Sequence, residues 1–187
     1  IYLPLLCHSL KHDRFTYGFS AAVLASLTEG LEGLIVNGGK MRLIIGQVLT
    51  EAEDDAIQLG IDDLKKGHEH FCMAELYKLM SENKSRDQQY ALNLLSSLIG
   101  TGRLEIKFAF KLVPSTRPFQ HSKMAIFKGI EGETVCWQGS NNWSKSAAFE
   151  HYDTFSLYHS FKPEGGYEVH GKFIQEAFEK FWSGNKE

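Results

Sequence analysis

Four side chains in the second half of the chain are suited to handling a phosphate group. His121 and Lys123 are separated by one residue, as are Ser140 and Asn142. On a strand, side chains alternate faces, so His121, Lys123, Ala125 and Phe127 point one way while Ser122, Met124 and Ile126 point the other. The Cα atoms of His121 and Lys123 would then stand ~7 Å apart, close enough for an imidazole nitrogen and an ammonium to converge on one phosphate. Gly139 permits a turn, from which Ser140 and Asn142 return a hydroxyl and an amide donor to the same place. This set makes an oxyanion site without the carboxylate cluster that holds a metal ion. Alone, a His-x-Lys at a strand edge is ordinarily a solvated pair, and Gly-Ser-x-Asn is a common turn. On consecutive strand signals they are far more specific.

The surrounding pattern supplies elements to position them. Arg14 to Phe19 sets Phe15, Tyr17 and Phe19 at period two, and Ser20 is expected to cap an apolar helix through Val36, closed by Asn37-Gly38-Gly39. Met41 to Gly46 reads as a strand buried on both faces. Strand, helix, strand predicts an α/β layer architecture. Thr50 with Glu53 reads as a capping box, followed by helices over Glu69 to Met80 and Asp87 to Ile99, with Gly100 as the stop. Strands are then expected over Leu104 to Phe110, His121 to Phe127, Thr134 to Gln138 and Asp153 to Tyr158. In the final helix Phe173, Ile174, Ala177, Phe178, Phe181 and Trp182 form one apolar face. The expected fold is a single-domain mixed β-sheet flanked by helices, spanning residues 1–187.

Composition limits what this scaffold can do. The 187 residues are 43% hydrophobic with a net charge of −3, enough for a core without disulfides or a structural metal. Cys7, Cys72 and Cys136 are odd in number and widely spaced, which favours a reducing compartment. His68, His70 and Cys72 do not make a zinc site, because on a helix only His68 and Cys72 share a face; Cys7, His8 and His12 are equally incomplete. His151, near Asp153, is placed to line a pocket, whereas His159 and His170 read as surface or turn residues. Trp143 reads as core, with covering the pocket or stacking a base as the alternative. No apolar run approaches a membrane span and the N-terminus lacks a signal-peptide layout, so a cytoplasmic location is expected. The chain begins at Ile1, which is compatible with a fragment of a longer protein. Charge is uneven: residues 29–75 hold ten acidic and four basic side chains, net −6, and residues 84–128 hold eight basic and two acidic, net +6.

His121-x-Lys123 followed by Gly139-Ser140-x-Asn142 resembles the HKD signature of the phospholipase D superfamily. Tyr17 to Gly46 (YGFSAAVLASLTEGLEGLIVNGGKMRLIIG) is similar to the first strand-helix-strand unit of the HKD nuclease modules associated with bacterial helicases and restriction-type systems. The segment from about Ala52 to Gly100 is the least assignable. In the family an acidic residue follows the serine-asparagine turn at a strand start; here that position is Asp153, with Glu150 as the alternate. Lys128 stands where the family usually has Asp, and Asp153 is shorter than the common Glu.

The resemblance implies a metal-independent phosphodiesterase without cofactors, cleaving DNA as an endonuclease. One His attacks phosphorus, a second protonates the leaving oxygen, and Lys and Asn neutralise the phosphoryl oxygens. It further implies that a chain with one motif forms a homodimer in which two copies of His121 share one site, and that a helicase domain or subunit is a partner. A carboxylate at Asp153 would fix the imidazole tautomer. The alternatives are a non-catalytic DNA-binding or dimerisation module, or a lipid phosphodiesterase, which would need an apolar interfacial surface.

Overall fold

The computed structural model describes residues 1–46, 49–81, 88–109, 123–140, 142–143 and 154–184. Six strands form one mixed sheet: β1 (Ser9–Thr16), β2 (Lys40–Ile45), β3 (Leu104–Phe108), β4 (Lys123–Gly129), β5 (Thr134–Gly139) and β6 (Phe155–His159), in the spatial order β3-β2-β1-β4-β5-β6. The first three run parallel, and β4, β5 and β6 add to β1 antiparallel. Helices α1 (Tyr2–Cys7), α2 (Ala22–Ser26), α3 (Thr28–Val36), α4 (Glu51–Lys65), α5 (Glu69–Ser81) and α6 (Gln88–Gly100) form the larger helical layer, and α7 (Lys172–Ser183) covers the opposite face. Strand alternation divides the core accordingly. Met41, Leu43, Ile45, Ala125, Phe127 and Trp137 pack under the large layer, while Phe15, Ile44, Met124, Ile126 and Cys136 pack against Ile174 and Phe178 of α7. Among the described residues no helix is long and apolar enough to cross a membrane.

The mixed sheet flanked by helices matches the sequence expectation, with local corrections. The first strand begins five residues earlier than expected and ends at Thr16. Its buried stretch is polar: His12, Asp13 and Arg14 lie between two paired neighbours, so alternation of apolar residues could not mark it. Phe15, Tyr17 and Phe19 accordingly share no face, since Phe15 packs in the α7 core, Phe19 in the larger core, and Tyr17 is half-exposed. The expected single helix through Val36 is broken at Leu27 (φ −105°, ψ 10°), and Ser20 contributes its backbone carbonyl, not a side-chain cap, to the start of α2.

A helix over Tyr2–Cys7 was not anticipated, being one short turn and a half with a proline inside it. Gly100 is inside α6, where a Cβ would meet Cys72 Sγ at 2.7 Å; the chain turns instead at Gly102, with φ +64°. On α7, Ile174 and Phe178 are buried, but Phe173 is 69% exposed and faces away from the sheet. The Thr50–Glu53 capping box forms as expected.

Candidate functional site

Lys123 is the first residue of β4, and its side chain is fully buried. It lies on the large-layer face, in register with Gly139 of β5, which in turn faces Phe155 of β6. Gly139 serves a different purpose from the one expected. A Cβ there would meet Thr154 O at 2.7 Å and Phe155 Cβ at 2.8 Å, so glycine lets β6 close against β5. Ser140 is exposed just beyond this pair, its N–H directed at Thr154 O at 3.4 Å.

Asn142 and Trp143 pack against the carboxyl end of β1. Asn142 Oδ1 accepts the Gly18 N–H at 3.0 Å, which leaves the Nδ2 hydrogens as the donors this side chain can offer. Trp143 N–H reaches Thr16 Oγ1 and Gly18 O, both at 2.9 Å, while Thr16 Oγ1 donates to Gly18 O at 2.7 Å and Ser20 N–H donates to Trp143 O at 3.2 Å. Gly18 eases this approach, because a Cβ would sit 3.0 Å from Asn142 Cγ and the amide side chain would have to give by a few tenths of an ångström. Trp143, only 3% exposed, belongs to the core.

Lys123, Ser140 and Asn142 are thus brought to one end of the sheet. That end is where the chain leaves β1 toward β2 on one side and later returns to β4 on the other. It joins the carboxyl end of β1 to the amino end of its antiparallel neighbour β4. His121, Glu150 and Asp153 lie outside the described residues. Lys128 is resolved by alternation: it falls on the face of β4 opposite Lys123, at the far end of the strand and close enough to Cys136 for its charge to act on that thiol. A carboxylate in its place would not reach Lys123.

Beneath Lys123 lies a group that sequence reasoning missed. Arg14 is 2% exposed, opposite Ala125, with its guanidinium 4.4 Å from the centre of the Trp137 ring. His12, the next residue on this face of β1, is fully buried. Its Nδ1 lies 3.2 Å from Ile126 O and its Nε2 2.8 Å from Tyr2 Oη, so the imidazole donates to the carbonyl and accepts from the phenol. Burial, helped by the Arg14 charge, pushes the His12 pKa down to about 3, and burial pushes Tyr2 up to about 12. Both are therefore neutral near pH 7. Burial also lowers the pKa of Arg14. The signal that could have found this group was period two: His12, Arg14 and Thr16 share one face of β1, as Lys123, Ala125 and Phe127 share one face of β4.

Arg14 and Lys123 thus lie on one buried face toward this end of the sheet. Among the described residues no group of three or more His, Cys, Asp or Glu side chains could hold a metal ion. Compared with known protein-family models and with curated proteins, the chain matches none.

Proposed function

We propose that the chain is a metal-independent phosphodiesterase with a phospholipase D-like fold, acting as a DNA endonuclease in a restriction or defence setting. The observation that carries this reading is the burial of Lys123, in register with Gly139 and at the same end of the sheet as Ser140 and Asn142. A buried ammonium acts on an oxyanion more strongly than one in water, and Ser140 and Asn142 bring a hydroxyl and an amide to the same edge. His121, two residues before Lys123, attacks phosphorus and forms a P–N bond as the P–O bond to the leaving strand breaks. His121 of a second copy donates the proton to the leaving oxygen, then takes one from the water that hydrolyses the phosphohistidine. Lys123, Ser140 and Asn142 stabilise the phosphoryl oxygens, and Asp153 or Glu150 orients an imidazole. A helicase domain or subunit is the proposed partner.

The test is plasmid cleavage in EDTA by the wild type, His121→Ala and Lys123→Met, with circular dichroism to verify folding. Cleavage by the wild type and a loss of roughly 10²-fold or more in each folded variant is expected. Equal cleavage by the wild type and a folded His121→Ala, or a requirement for added Mg²⁺, overturns the reading.

A further inference from the structure

On the same face as Lys123, a cavity of about 430 Å³ lies between the sheet, α2 and the first turn of α1, reaching β4 at Phe127, about 13 Å along the strand from Lys123. Five rings, those of Tyr2, Phe127, Trp137, Trp143 and Phe155, line it together with aliphatic side chains from α1 and α2, among them Leu3, Leu5 and Val23. Arg14 forms part of its floor, and Asn142, already at the edge of the phosphate site, forms part of its rim. The indole N–H of Trp143 is buried and makes no hydrogen bond to an acceptor among the described residues. Buried donors are nearly always paired, so an unpaired one in a cavity wall points to an acceptor supplied from outside.

We propose that this cavity is a base-binding subsite, holding one unstacked nucleobase of the strand whose phosphate lies at Lys123. The inference rests on the phosphodiesterase reading for the position of that phosphate. A base fits the chemistry of the walls: its faces stack on aromatic rings, and its edge carries the carbonyl and ring-nitrogen acceptors that Trp143 Nε1 and Asn142 Nδ2 need. An alkyl chain would match the aliphatic side chains but leave Trp143 Nε1 without an acceptor. The volume lies within the range of small-ligand pockets and takes a nucleoside. The substrate is therefore single-stranded or locally unpaired nucleic acid, because a base held in a duplex cannot reach such a cavity.

Calorimetry, supported by quenching of the cavity tryptophans, tests this on the whole chain carrying His121→Ala, so that cleavage does not intervene. The probes are deoxyguanosine 5′-monophosphate, deoxyribose 5-phosphate and decyl phosphate. The nucleotide is expected to bind about tenfold or more tighter than the sugar phosphate, as one stacked base provides. Leu3→Trp, which fills the cavity from α1, is expected to abolish that difference while leaving sugar-phosphate binding intact. Equal binding of nucleotide and sugar phosphate, or tightest binding of decyl phosphate, overturns the subsite even where EDTA-resistant plasmid cleavage stands. Base-dependent binding in a chain that never cleaves DNA upholds the subsite and overturns only the nuclease reading.

Discussion

His12 shows how a single buried side chain can make the whole fold sensitive to acid. In the folded chain its imidazole stays neutral down to about pH 3, whereas in the unfolded chain it takes a proton near its ordinary 6.5. The unfolded state therefore binds more protons between those two values, and stability is lost as pH falls through that window. The loss approaches about 1.4 kcal/mol per pH unit below 6.5, or on the order of 2–3 kcal/mol by pH 4.5. His12→Phe keeps the stacking on Phe127 but leaves Ile126 O and the Tyr2 hydroxyl without their partner. Denaturant titrations are expected to find the variant less stable by about 1–3 kcal/mol at pH 7, with the gap closing as pH drops to 5. A gap that stays constant across that range contradicts a depressed pKa. At this scale legibility followed apolar alternation: Lys123 could be assigned a face because Ala125 and Phe127 shared it. The stretch His12-Asp13-Arg14 reads as an exposed polar segment and is buried only because two strands flank it.

At the scale of elements, Glu53 joins two helix starts that lie far apart in sequence. Its carboxylate accepts Thr50 N–H at 3.1 Å and Thr50 Oγ1–H at 2.8 Å through one oxygen, and Ala21 N–H at 2.8 Å through the other, while only 7% exposed. The capping box at α4 was legible because its two members are three residues apart. The tie to α2 was not, since nothing local in Ala21 or Glu53 specifies the other. The break at Leu27 escaped notice for a related reason: the apolar pattern continues through it, and α2 and α3 separate only where they meet different neighbours. Glu53→Ala removes the acceptor for both helix starts and is expected to cost about 2–4 kcal/mol, against about 1 kcal/mol for Thr50→Ala. The double variant should be more stable than the sum of the two losses implies, because each removes part of the same cap. Strict additivity in chemical denaturation would mean that the Ala21 contact, not the box, dominates.

For the molecule as a whole, the alternation of strand and helix signals was enough to predict a mixed sheet between helices. The order β3-β2-β1-β4-β5-β6 was not readable, because strand pairing depends on contacts that no local pattern encodes. That order matters, since it sets Lys123 against the end of β1. The net charge of −3 is also misleading as an average: the exposed acidic residues of α4 lie in the large helical layer, and the buried bases Arg14 and Lys123 lie toward the carboxyl end of β1. One chain still holds one His121, and a phosphohistidine route needs an attacking and a proton-donating imidazole at once. In the proposed reading a homodimer would supply both, from identical chains related by a two-fold axis. Subunit exchange makes the requirement measurable. Wild type mixed with an equal amount of His121→Ala and allowed to exchange should lose about half its cleavage per wild-type chain, because about half of those chains would pair with an inactive partner. Light scattering should report a dimer throughout. Unchanged cleavage after demonstrated exchange, or full activity from a monomer, would assign both proton transfers to a single chain and remove the shared site.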